Sequence, residues 1–102
     1  MPSAGSEDRI AHRKHVLSID LGSGGLKTAI VADTGSVVAS AEVPLTTPLL
    51  PGGGAEQDPA EWWQGVRQTA RQAITASGLA PDEIVAVACD SQWSVAVPVD
   101  DH

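Results

Sequence analysis

A chain of 102 residues with thirteen acidic and six basic side chains carries a formal net charge of −7, which repels nucleic acid and anionic membrane surfaces and sets both aside as partners. Phe and Tyr are absent and Trp occurs three times, so a single modest core must be built from Val, Ile, Leu and Ala. No apolar run has the length of a membrane span, and the one cysteine, Cys89, has no partner for an internal disulfide. Set in an apolar, strand-like run, Cys89 reads as a buried reduced thiol, which suits the cytoplasm.

Residues 1–14, MPSAGSEDRIAHRK, mix both signs of charge around no hydrophobic centre and read as a disordered leader rather than a secretory signal. His12 and His15 have no Cys or further His nearby, which favours a solvated tail over a metal site. Two apolar runs follow, at about 15–21 and 26–33, with the β-branched character of strands in a buried sheet. Between them, directly after Asp20-Leu21, come Gly22, Ser23, Gly24 and Gly25. Three glycines in four residues let the backbone take positive φ and keep side chains from between its N–H groups and an anion. The Ser23 hydroxyl and the Lys27 ammonium add donors of the kind a phosphate takes.

Two other glycine motifs fail on detail. A Walker-type loop needs Gly and Lys adjacent, and Leu26 separates Gly25 from Lys27. A dinucleotide fingerprint needs a third glycine where Lys27 stands. Both open a helix, whereas TAIVAD reads as a strand. A plain hairpin, in which Asp20 and the glycines serve only the turn, is the alternative.

Asp33-Thr34-Gly35-Ser36 is a turn signal, and a third strand at about 36–43 completes an antiparallel meander ended by Pro44. Residues 44–57 are too rich in Pro and Gly for regular structure, yet Leu49 and Leu50 suit a loop packed on the sheet or on a partner domain. A helix is expected over about 59–77. Asp58 suits its N-cap, Pro59 its first position, and Glu61 a capping-box reach back to the cap. Trp62, Val66, Ala70, Ala73 and Ile74 recur on one face as core packing, Arg67 and Arg71 lie on a solvated face, and Gly78 closes the helix. A continuous apolar run at about 83–90 fits a central strand reached by a helical crossover, parallel to a strand of the meander. A further short strand at about 94–99 carries Pro98, which suits an edge or bulge.

Three stretches in this order, DLGSGGLK (Asp20 to Lys27), GGGAEQDPAEWW (Gly52 to Trp63) and CDSQWSVAVPVD (Cys89 to Asp100), resemble the amino-terminal part of the FGGY family of carbohydrate kinases. The resemblance covers roughly residues 15–100, and EQDP with its aromatics is its more specific part. It implies an α/β fold of the actin-like or ribonuclease H-like type: a partial first domain, 15–102, with a mixed sheet, a three-strand antiparallel meander, one crossover helix and further strand(s). It further implies ATP-dependent phosphorylation of a sugar or polyol hydroxyl.

Carried over by resemblance, Asp20 is the acid near Mg²⁺, a hard cation that takes carboxylates or carboxylate-held water. Gly22, Ser23, Gly24, Gly25 and Lys27 form the ATP phosphate site, although many members carry a hydroxyl residue where Gly24 stands. Gln92 is the sugar-site glutamine, and Trp93 and Ser94 line the polyol pocket. That pair is Arg-Glu in glycerol kinases and Met-His in xylulokinases, so neither substrate assignment transfers. Trp93 would stack on a sugar; its alternative is a core residue beneath a turn. No catalytic base falls within the chain; the resemblance places it beyond His102, with a C-terminal domain of the same protein that binds adenosine. Association with further copies of the chain is left open. The rival reading, from a different class, is an inactive fragment or a stand-alone binding module. An actin-like ATPase or sugar-responsive repressor fits less well, because EQDP precedes Trp-Trp here.

Overall fold

The computed structural model describes residues 14–102, so all of the expected leader but Lys14 lies outside the described residues. The elements in order are β1 (His15–Leu21), β2 (Gly25–Ala32), β3 (Val37–Pro44), α1 (Pro59–Ser77), a short 3₁₀ turn (Pro81–Glu83) and β4 (Ile84–Ser91). They form one sheet in the order β3-β2-β1-β4. The first three strands are an antiparallel meander, and β4 runs parallel to β1 after the helical crossover.

Strand alternation decides which face is covered. Leu17 and Ile19 of β1 and Leu26, Thr28 and Ile30 of β2 point to the helix side and are buried. Register fixes the pairs Leu17↔Ile30, Ile19↔Thr28 and Leu21↔Leu26 on that face. The helix lies over β2 and β3 and barely reaches β1. Its buried seam is Gly65, Thr69 and Ala73, small residues on one stripe, while Val66, Ala70 and Ile74 flank them partly buried.

The sequence reading assigned the flanking side chains to the contact and missed two of the three central ones. The reason is close approach: a Cβ at Gly65 would stand 3.2 Å from Val43 Cγ2 and 3.5 Å from Leu26 Cδ1. Thr69 fits because its hydroxyl is satisfied twice. It donates to the Gly65 carbonyl oxygen at 2.8 Å and accepts from the Thr28 hydroxyl at 2.7 Å, so a buried polar pair joins helix to sheet without an unmet group.

Local chemistry sets the helix ends. The Asp58 carboxylate accepts from the Ala60 N–H at 2.9 Å, Pro59 takes the first position, and Gly78 adopts φ 70°, donating its N–H back to the Thr75 oxygen at 3.3 Å. Glu61 departs from the expected capping box. Its Oε1 accepts from the Thr46 N–H at 2.8 Å, so the carboxylate satisfies an amide of the incoming loop and ties that loop to the helix. Within the loop, Leu49 and Ala55 form an isolated bridge across a turn with Gly52 and Gly53 at positive φ, and the Leu49 side chain stays exposed.

Three expectations about the end of the chain are corrected. The apolar run of β4 is an edge strand in this structure, with seven of its eight residues exposed, because the helix footprint stops short of it. Cys89 is accordingly an exposed thiol, its Sγ 3.4 Å from the Asp90 carbonyl oxygen, rather than a buried one. Residues 95–100 have no regular structure where a strand at 94–99 was expected. Ser94 turns the chain away with φ 54°, and Pro98 offers no N–H to a ladder.

Candidate functional site

The site gathers at one end of the sheet, where β1 and β4 finish side by side. Asp20, one residue before the end of β1, faces away from the helix and is exposed. Its register partners are Lys27 on β2 and Asp90 on β4, and Lys27 in turn pairs with Glu42 on β3. Four charged residues therefore cross the open face of the sheet in one row, Glu42-Lys27-Asp20-Asp90. The Lys27 Nζ stands 4.0 Å from Glu42 Oε2 with both side chains about two-thirds exposed, a contact too solvated to hold the ammonium in place.

The two carboxylates at the other end of the row also interact. The Asp90 carboxyl is held above its ordinary value, chiefly by a side-chain hydrogen bond with Asp20, then by desolvation and by the repulsion of the Asp20 charge. A raised pKa in the folded state favours the protonated form. Its contribution to stability is present below the unfolded pKa and is lost as pH rises through the folded one. Asp90→Asn is therefore expected to raise the melting temperature near pH 7, with the difference from the parent shrinking as the pH falls toward about 4. A gain that grows toward acid would contradict the pairing.

The turn joining β1 to β2 differs in conformation from the expectation of positive φ. Gly22, Gly24 and Gly25 all lie outside that region. Glycine is needed here for close backbone approach. A Cβ at Gly22 would sit 2.9 Å from the Gly25 carbonyl oxygen, and one at Gly25 would sit 3.1 Å from the Val43 oxygen. The Gly22 N–H donates to the Gly25 oxygen at 3.0 Å, and the Gly24 oxygen accepts from the Leu45 N–H at 3.3 Å. The Ser23 and Gly24 N–H groups make no hydrogen bond among the described residues. Both residues are exposed, so two adjacent amides are available to an anion.

Gln92 emerges beside this turn because its N–H donates to the Leu21 carbonyl oxygen at 2.9 Å, extending the pairing of β4 with β1 by one bond. Between Gln92 and the turn stands Gln57, of the loop before the helix. Its Nε2 donates to the Ser23 carbonyl oxygen and to Thr47 Oγ1, each at 2.7 Å. Its Oε1 accepts from the Trp62 indole N–H at 2.9 Å and from Gln92 Nε2 at 2.8 Å. A cleft of about 530 Å³ opens here, walled by Ser23, Thr47, Gln57, Trp62, Gln92 and Ser94 among others. A neighbouring depression shares Ser23 and Gln92 with it and holds Asp20, Gly22, Asp90 and Trp93.

The structure thus brings Asp20, Gly22, Ser23 and Gln92 together. Gly24, Gly25 and Lys27 face a groove on the other flank of the turn, next to Glu42 and Pro44, and Asp20 and Gly22 line that groove too. Trp93 and Ser94 separate, Ser94 into the cleft walled by Gln57 and Trp93 into the depression beside Asp20. Trp93 is 92% exposed, so the core alternative for it falls. Trp62, read as core, is only partly buried, and its indole N–H faces the cleft network. Gln57 and Asp90 escaped the sequence reading altogether. The signal for Gln57 is its place in EQDP, a motif that does not itself say what that side chain meets. For Asp90 it is the parallel pairing of two strands that each carry an acid near their ends.

A meander followed by a helical crossover to a parallel strand, with a glycine turn and acids at the strand ends, defines this chain as part of the actin-like, ribonuclease H-like sugar-kinase fold. It superposes on the crystal structure of xylulose kinase from Rhodospirillum rubrum with a TM-score of 0.76 at 26% identity, covering 86% of this chain and 18% of that one. In sequence it is 35% identical over 83 residues to a glycerol kinase of Corynebacterium efficiens, 81% of this chain and 16% of that protein. It is 31% identical over 84 residues to a glycerol kinase of Citrifermentans bemidjiense, 82% of this chain and 17% of that protein. The chain therefore spans about one sixth of the length of these relatives. Residues 15–102 match the model of the N-terminal domain of the FGGY family of carbohydrate kinases, and the chain belongs to that family.

Proposed function

We propose that this chain supplies the phosphate-facing turn and one wall of the acceptor cleft of a kinase that transfers the terminal phosphate of ATP to a hydroxyl of a sugar or polyol. The observation that carries the reading is adjacency: at Ser23 and Gly24 two amides with no partner among the described residues share one end of the sheet with Asp20 and with a polar cleft containing Gln92. Phosphoryl transfer asks mainly for alignment and for charge compensation at the transferred group, and those are the tasks such an arrangement can perform.

Ser23 and Gly24 would donate backbone N–H groups to phosphate oxygens, with Gly22 and Gly25 permitting the close turn and Lys27 free to swing from Glu42. Asp20 fits a divalent cation in donor chemistry. Its carboxylate is the register neighbour of Asp90 on an open face, and its hydrogen bond and its charge help hold the Asp90 carboxyl above its ordinary value; a hard cation between two such carboxylates would relieve their repulsion. Mg²⁺ held there by Asp20, with Asp90 alongside, would neutralise charge on the phosphates. On the acceptor side, Gln92 and Ser94 present amide and hydroxyl groups to a polyhydroxylated ligand, and the Trp93 ring lies open beside them for stacking. The general base and the adenosine site would come from the C-terminal part of a protein of the relatives' length.

The 102 residues taken alone would not turn over, since the general base and the adenosine site would be supplied from outside them. Incubating the full-length protein with labelled Mg-ATP and a panel of polyols, ketoses and aldoses tests the proposal. Transfer of label to an acceptor hydroxyl is expected; nucleotide hydrolysis that no acceptor stimulates would contradict it.

A further inference from the structure

We propose that Gln57 is a positioning residue that orients the acceptor-side glutamine, Gln92, and couples it to the phosphate-side turn at Ser23; this rests on the kinase reading above. A glutamine side chain has two N–H donors and an oxygen with two lone pairs, and in Gln57 all four capacities are used. The partners also dictate which way round the amide stands. The Trp62 indole can only donate and the Ser23 carbonyl can only accept. Turning the Gln57 amide over would set N–H against N–H at Trp62 and oxygen against oxygen at Ser23, so one orientation survives.

That orientation propagates. With Gln57 Oε1 fixed, the group of Gln92 that meets it must be Nε2. One N–H and the whole Oε1 of Gln92 remain for the cleft, which suits an acceptor hydroxyl that both donates and accepts. At the other end, the Gln57 bond to the Ser23 carbonyl holds the peptide plane joining Ser23 to Gly24, and the Gly24 N–H on that plane is one of the two left open. A ligand that pulls on Gln92 therefore loads the same amide that sets the direction of the phosphate-facing donor.

Two substitutions divide the network. Gln57→Glu keeps both acceptor bonds, to Trp62 and Gln92, lets the Thr47 hydroxyl turn round and donate instead of accept, and loses the bond to the Ser23 carbonyl. Gln57→Met loses all four at similar size. In the full-length protein, with glycerol and D-xylulose as acceptors, Gln57→Glu is expected to raise the KM for Mg-ATP about tenfold while the acceptor KM moves less than about twofold. The rise should persist in ~0.5 M salt, where through-space repulsion is screened. Gln57→Met should raise both. Independently of turnover, the Trp62 indole N–H and the Gln92 side-chain amide should exchange slowly with solvent in the parent and in Gln57→Glu, and fast in Gln57→Met. Equal effects of Gln57→Glu on the two KM values, or unchanged exchange in Gln57→Met, would overturn the assignment. If Gln57→Met does not fold, the split in Gln57→Glu decides. If the parent phosphorylates neither acceptor, the exchange comparison still tests the network, and it is the kinase reading that those two probes fail to support.

Discussion

Asp20→Ala is expected to lower phosphoryl transfer by about 10³-fold and to leave the fold intact. The side chain is exposed on the face away from the helix and touches nothing in the hydrophobic core, so its removal opens no cavity. What it removes is a carboxylate beside Asp90, whose carboxyl Asp20 holds above its ordinary value. Relief of that like-charge contact should leave the melting temperature at pH 7 unchanged or slightly higher. A catalytic loss without a stability loss is the signature of a group kept for the charge it brings to the reacting phosphates. The comparison needs kcat with saturating Mg-ATP and a thermal melt on the same preparation. Turnover within about threefold of the parent would remove Asp20 from the site, and a lower melting temperature would make its role structural.

The second large effect belongs to stability. Leu26 is fully buried, one residue past the glycine turn, and pairs with Leu21 beneath the helix at Gly65. Leu26→Ala should cost about 3 kcal/mol, a large part of what a small domain has to lose. The loss should exceed the hydrophobic transfer alone, because the helix cannot settle into the gap: Gly65 already meets Val43 at the seam. Val87→Ala, on the open edge strand at 65% exposure, is the matched control and should stay within about 0.5 kcal/mol. Urea midpoints at constant slope would measure both. A Leu26→Ala loss below about 1 kcal/mol would mean that the core does not close where the structure places it.

How much of this could be read from the residues follows from the range of each interaction. The ends of the helix were local matters, since Asp58, Pro59 and Gly78 start and stop a helix through their own chemistry. The meander was legible because turn signals separate short β-branched runs, and the parallel strand because a helix intervenes. The apolarity of β4 was misread as centrality. An apolar run records that something covers a strand, not whether this chain supplies the cover, and here the helix ends over β2 and β3. The seam at Gly65 and Thr69 was invisible for a related reason: hydrophobic periodicity ranks side chains by apolarity, whereas a close contact selects the smallest.

The site divided along the same line. Asp20, the glycines and Gln92 are candidates from the sequence because they stand in a familiar order. Gln57, Asp90 and the open indole of Trp62 act through partners 5 to 70 residues away in sequence, Ser23, Asp20 and Gln92 among them, and no spacing rule brings those together. Even the glycines were needed for a different reason than expected: all three lie outside the positive φ region, and the oxygens of Gly25 and Val43 leave no room for a Cβ at Gly22 or Gly25.

Among the described residues no helix is long and apolar enough to cross a membrane, and one row of charged residues crosses the open face of the sheet at the end where the site lies. The central claim is that the amides of Ser23 and Gly24 meet the terminal phosphates of a nucleotide with Asp20 beside them. A crystal structure of the full-length protein with Mg²⁺ and a non-hydrolysable ATP analogue measures this directly. The account predicts phosphate oxygens about 3 Å from both N–H groups and the cation within reach of the Asp20 carboxylate. Phosphates seated elsewhere, with the Ser23 and Gly24 amides facing solvent in the complex, would contradict it.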